Sequence, residues 1–140
     1  MEIEPVTPEE PLRTDADLLR WARFINHGVH PRMRTLWVLL LDEEDVPLPV
    51  IIPIEEIPDL PDAEGTTRIA EALGSALSGP APAGCVVLLL ERPGPARRTQ
   101  ADHAWHIMLR WAMSEAEVRV RAVFLAAEGV VLPFALDDAA

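Results

Sequence analysis

The chain has 140 residues, 49% of them apolar, and a formal net charge of −11 from 12 basic and 23 acidic side chains. Such a length and apolar fraction suit one domain with its own core. The acidity excludes the clustered cations that non-specific nucleic-acid or anionic-membrane binding requires.

No apolar run reaches the roughly 18 residues of a membrane span. The start, Met1-Glu2-Ile3-Glu4-Pro5, lacks a basic region followed by an apolar stretch, so the expectation is a cytoplasmic protein without a signal peptide. All 12 basic residues are arginine, which excludes lysine Schiff-base chemistry and a Walker-type phosphate loop. With heavy Ala, Leu and Pro usage, this points to a GC-rich, actinobacterial-type genome. Cys85 is the single cysteine, which excludes an internal disulfide and reads as a small buried thiol before an apolar strand.

Residues 1–13 carry several prolines and acids and are expected to form a loose tail. Residues 14–136 read as a single α/β domain, followed by an acidic tail at 137–140. Thr14 with Asp17 has capping-box spacing, and Leu18, Trp21, Ala22 and Ile25 follow on one helical face up to a stop at Gly28. Leu36 to Leu41 is a continuous apolar run, as in a strand covered on both faces. After the polar turn Asp42-Glu43-Glu44-Asp45, Val46 to Ile54 forms a second strand whose Pro47, Pro49 and Pro53 place it at a sheet edge.

A second helix, capped at Asp62 or Thr66, presents Ile69, Ala72, Leu73, Ala76 and Leu77. The strand Val86 to Leu90 runs into the loop Glu91-Arg92-Pro93-Gly94-Pro95. Thr99 and Asp102 then form a capping box for a helix reaching Ser114, with Ala101, Trp105, Met108, Leu109 and Ala112 as its apolar face. Val118 to Leu125 and Val130 to Phe134 close the chain as two strands around an Ala126–Gly129 turn. This last hairpin echoes Leu40 to Val50 without gaps, as two hairpins under the same turn and edge-proline rules do. The order α-β-β-α-β-α-β-β predicts a three-layer α/β/α sandwich around a mixed sheet.

From about Thr35 to Phe134 this pattern resembles the RadC/JAB (MPN)-like domains of the cytidine-deaminase-like fold. In that family the central strand ends in His-x-His-Pro and a polar loop leads to Ser-x-x-Asp at a helix start, a set that holds zinc. Here those stretches read Leu90-Glu91-Arg92-Pro93 and Thr99-Gln100-Ala101-Asp102. Leu90 and Arg92 stand at the two histidine positions, so one carboxylate remains of three protein ligands, and no metal or other cofactor is expected. The deaminase branch has His-x-Glu, echoed by Asp62-Ala63-Glu64, but both of its cysteines are missing near Pro93 to Arg97.

Glu91, Arg92, Arg97, Arg98 and Asp102 form a candidate ligand mouth beside a helix N-terminus, against the plainer expectation of a solvated loop pairing with surplus acids. A third reading is an Arg92 salt bridge in place of the lost metal. Asp102, His103 and His106 are candidates for a metal test, in which Asp102 and His106, four apart on one helical face, would form half a site that Glu91 at the strand end could join. Against that stands Asp102 as a cap with the histidines on a solvated face, while His27 and His30 read as surface residues. Trp111, and Trp21 or Phe24, are candidate exposed interface anchors. Together these point to a non-catalytic domain working through a protein partner or a second copy. The alternative is a small-molecule or anion binder, or a hydrolase, using the crevice after residues 86–90.

Overall fold

The computed structural model describes residues 11–25 and 33–135. The chain order is α1 (Asp15–Ile25), β1 (Thr35–Leu41), β2 (Pro47–Ile54), α2 (Ala63–Ser78), β3 (Cys85–Glu91), α3 (Gln100–Glu115), β4 (Arg119–Ala127) and β5 (Val130–Phe134). This is the expected order of elements. Gly28, His27, His30 and the expected acidic tail lie outside the described residues.

The five strands form one mixed sheet ordered β2-β1-β3-β4-β5. The β1–β2 and β4–β5 hairpins are antiparallel, and β3 and β4 pair in parallel across the α3 connection. Strands β2 and β3 point the same way but are not neighbours, because β1 lies between them and pairs antiparallel with β3. Sequence order alone leaves that placement open, since β1 and β3 are joined through both β2 and α2. The pairing sets Thr35 opposite Glu91, which brings the entry of β1 to the exit of β3.

Alternate residues of the central strands feed two cores, as the period of two requires. Leu36, Val38, Leu40, Val86, Leu88 and Leu90 pack with α2 and α3. Leu39, Leu41, Cys85, Val87, Leu89 and Phe124 pack with α1. Strand β2 is at the edge, as its prolines require. Its pairing with β1 is irregular between Pro47 and Ile51, and Pro47, Pro49 and Pro53 all lack an N–H. The β1–β2 ladder persists through Pro53, and prolines along an edge strand offer no donors to a further strand, which blunts the edge.

Four local expectations are corrected. Leu12 is fully buried among the α1 core residues and its N–H donates to the Asp45 carbonyl at 2.7 Å, so ordered packing starts before Thr14. Trp21 is also buried, because α1 lies flat on the sheet and turns its whole apolar stripe inward. The buried stripe of α2 is Thr66, Ala70, Leu73 and Leu77, which leaves Ala72 exposed. The last turn is tighter than Ala126–Gly129: strands run to Ala127 and from Val130, and both Glu128 (φ 51°) and Gly129 (φ 73°) have positive φ. A two-residue hairpin turn of the primed type demands that conformation.

Gly84, one residue ahead of β3, shows how closely β1 and β3 meet. A Cβ there lies 2.2 Å from the Leu41 carbonyl oxygen and 3.0 Å from that of Ala81. Gly84→Ala is therefore expected to destabilise the fold by about 2 kcal/mol or more, since rigid backbone has to yield. Urea unfolding followed by tryptophan fluorescence checks this, and an unchanged midpoint refutes the close approach.

Candidate functional site

The α3 helix begins where the sequence expects. Thr99 Oγ1 accepts the Asp102 N–H at 3.2 Å, and the Asp102 carboxylate accepts the Thr99 N–H at 2.8 Å, which completes the capping box. A capping carboxylate normally faces water, but Asp102 is fully buried. Two arginines make that burial tolerable. Arg92 grips it bidentately, Nε to Oδ1 at 2.8 Å and Nη2 to Oδ2 at 2.7 Å, and Arg34 Nη1 reaches Oδ1 at 3.2 Å. With the Thr99 N–H, all four acceptor positions of the carboxylate are filled.

The rest of the Arg92 guanidinium is used by its own loop. Nη1 donates to the carbonyls of Pro93 and Pro95, both at 3.0 Å, and Nη2 to that of Arg97 at 2.7 Å. Every one of its five N–H bonds therefore has an acceptor within the chain. Gly94, at φ 99°, lets the loop turn its carbonyls inward around the guanidinium. The loop is folded about the cation as a coordination shell is folded about a metal.

Burial opposes ionisation of Asp102, but hydrogen bonds from Arg92, Thr99 and Arg34 and the Arg92 charge outweigh it and hold the pKa down at about 2. The helix N-terminus acts in the same direction. Arg34 keeps a donor to spare: among the described residues its buried Nε has no hydrogen-bond acceptor.

The five expected mouth residues do not converge. Arg92 and Asp102 satisfy each other beneath the loop. Arg97 is exposed and contributes its carbonyl. Arg98 is exposed, lies 5.6 Å over the Phe134 ring and donates to the Pro133 carbonyl. Glu91 belongs to the other face of the sheet, where Trp37 Nε1–H donates to its Oε1 at 3.3 Å. Among the described residues Glu91 Oε2 is buried without a donor, and burial raises the pKa of this carboxyl even though the Trp37 bond opposes the rise.

That isolated acid gives a prediction with a defined sign. A carboxyl whose folded pKa is raised costs stability once the pH exceeds its ordinary value of 4.5. Glu91→Gln, which keeps an acceptor for Trp37, is expected to match or exceed the wild type at pH 7 by up to about 1 kcal/mol. The advantage disappears below pH 4.5, where both side chains are neutral. Urea titrations at pH 7 and pH 4 check this, and a lower midpoint for the variant at pH 7 overturns it.

The proposed half metal site is also resolved into separate roles. His106 is fully buried rather than solvated, with its ring centroid 4.6 Å from that of Phe134. Arg110 Nε donates to His106 Nε2 at 2.7 Å, which makes that ring nitrogen an acceptor and the imidazole neutral. His103 sits edge-on to Phe134 at 6.1 Å. Among the described residues no group of three or more His, Cys, Asp or Glu side chains is placed to hold a metal ion.

The zinc set that the resemblance implies does not fit. Leu90 is buried in the core with α2 and α3, Arg92 brings a positive charge to the position of a ligand, and the Asp102 lone pairs are consumed. Asp62 caps α2 by accepting the Gly65 N–H, and exposed Glu64 pairs with Arg68, so the deaminase echo has a structural explanation. Cys85 is buried, and burial pushes its thiol pKa up, as an inert core thiol requires.

Trp105 is in the core and its Nε1–H donates to the carbonyls of Pro58 and Asp59, at 3.1 and 3.0 Å, tying the loop ahead of α2 to α3. Trp111 is 53% exposed and Ile107, one turn earlier, 45%. Among the described residues no helix is long and apolar enough to cross a membrane. Sequence reasoning missed Arg34 and Trp37, whose roles depend on β1 lying beside β3. No protein-family model matches the chain, and no curated protein matches it.

Proposed function

We propose that this is a non-catalytic domain of the RadC/JAB-like kind, in which an ion pair takes the place of a metal centre and function resides in protein contacts. The observation that carries the reading is the closed Arg92–Asp102 cluster: five donors and four acceptor positions are all spent inside the chain. A catalytic crevice needs an open coordination position or a group free to exchange protons near neutral pH. Asp102, held at about 2, is neither. The element order and the two-faced mixed sheet support the three-layer, cytidine-deaminase-like reading of the fold.

The exposed Ile107–Trp111 pair on α3 supports the contact half of the proposal, because aromatic anchors dominate interface energetics. A second copy is the partner we favour, docking by helices, since the edge prolines disfavour strand pairing. Sedimentation equilibrium with Trp111→Ser tests it, with self-association expected to weaken about tenfold or more. A wild type that stays monomeric sinks the dimer. Stoichiometric zinc that is lost in Asp102→Asn sinks the metal-less reading.

A further inference from the structure

Strand β4 outruns its partner. Pairing with β5 covers Val123 to Ala127 and leaves Arg119 to Ala122 without a strand partner on that side among the described residues. A cavity of about 640 Å³ opens at this step, between α1 and α3. Its lining is mainly apolar, with Leu19, Val123 and Phe134 among the walls, and Arg98, Arg110 and Arg121 reach it from the loop before α3, from α3 and from β4. Among the described residues one carboxylate shares the lining, that of the solvent-facing Asp15, 3.9 Å from Arg121.

Three cations against one acid is unexpected in a chain of net charge −11. Arg20, Arg34, Arg68, Arg92 and Arg121 each have a carboxylate within ion-pair distance. Arg98 and Arg110 have none among the described residues, and their polar partners are the Pro133 carbonyl and His106. Arg110 is half-buried, and burial lowers its pKa, with no acid among the described residues paired to it to offset the cost. Its Nε is held by His106, which aims the guanidinium, and among the described residues neither Nη group has a hydrogen-bond acceptor. Arg98 is held 5.6 Å over the ring of Phe134, which also lines the cavity. A partly desolvated cation without a counter-charge is costly, and a bound anion removes that cost.

We propose that this cavity binds a single-headed amphipathic anion, a carboxylate on an apolar body, whose head lies between Arg110 and Arg98 and whose body covers Leu19, Val123 and Phe134. Its volume falls in the range of small-molecule sites, and mixed walls with a few convergent polar groups are what such ligands require. The site is separate from the Arg92–Asp102 cluster, whose donors are consumed, and it does not depend on whether the domain is catalytic.

Calorimetric titration of the full chain with octanoate, 1-octanol and inorganic phosphate tests the assignment. Octanoate is expected to bind at one site, with 1-octanol about tenfold weaker and phosphate weaker still, since each lacks one half of the recognition. Arg110→Gln and Arg98→Gln are each expected to weaken octanoate about tenfold or more while leaving thermal unfolding of the free chain close to wild type. Arg98 is exposed, so its variant stays informative even if Arg110→Gln proves unstable. Equal binding of octanoate and 1-octanol, or unchanged affinity in both arginine variants, overturns the proposal. Loss on Phe24→Ala instead assigns the ligand to the apolar groove between α1 and β2 and also overturns it. So does affinity that emerges only in Asp137→Asn/Asp138→Asn, which assigns the arginines to the chain's own acids.

Discussion

Asp102→Ala is expected to destabilise the protein by about 3–5 kcal/mol at pH 7, a large part of the 5–15 kcal/mol that separates a typical domain from its unfolded state. The loss has two sources. Arg34 and Arg92 are left buried with no counter-charge, and the Thr99 N–H at the start of α3 loses its acceptor. Asp102→Asn retains an oxygen and a similar shape, so it is expected to cost less than alanine but still leaves both cations uncompensated. Equilibrium urea unfolding gives the comparison, and an alanine variant within about 1 kcal/mol of wild type refutes the cluster's structural role.

The same carboxylate imposes a pH dependence. Its folded pKa of about 2 lies below the ordinary 3.8, so its contribution is complete above pH 3.8 and is lost as the pH falls toward 2. The size of that contribution is on the order of 2 kcal/mol. Wild type is therefore expected to lose stability across this window more steeply than Asp102→Asn, in which the titrating group is gone. Parallel acid titrations followed by circular dichroism show whether the two curves converge at low pH; parallel curves contradict the assignment.

Arg92 carries the second large effect. Arg92→Ala is expected to cost about 3 kcal/mol, because Asp102 keeps Arg34 while the loop carbonyls regain water. Arg92→Lys is expected to lose most of the same amount: an ammonium has three donors on a flexible stem and cannot span both Asp102 oxygens and three carbonyls. The double variant Arg92→Ala/Asp102→Ala is expected to fall short of the sum of the singles by about 2 kcal/mol or more, the signature of a directly coupled pair. Additive losses in a urea-unfolding cycle argue against one shared network.

Much of this was legible from local pattern. Thr99 and Asp102 announce the start of α3 by capping chemistry alone, and the capping box is present as expected. The prolines of β2 mark an edge because an imide cannot donate to a ladder, and β2 is the edge strand. The salt bridge from Arg92 to Asp102 was also within reach, since the residues lie only ten apart across a short loop.

Other features were out of reach for a common reason. Glu91 and Arg92 are adjacent in sequence, so they read as one charged mouth, but the alternation of a strand end sends Glu91 toward Trp37 and Arg92 toward Asp102. His106 reads as a polar residue beside a solvated face, and only the arrival of β5 places Phe134 against it. Trp21 reads as a candidate anchor until α1 is laid on the sheet and buries it.

The sequence by itself therefore determined the identity and order of the eight elements, the edge position of β2 and the cap on α3. Those properties depend on hydrogen bonding and side-chain periodicity within a few residues. Only the tertiary structure decided that β1 inserts between β2 and β3, that Arg34 joins Asp102 across 68 positions, and that Arg98, Arg110 and Arg121 share one cavity. Those are contacts between segments distant in the chain. They follow from which apolar faces pack together, and local pattern specifies that a face is buried without specifying against what.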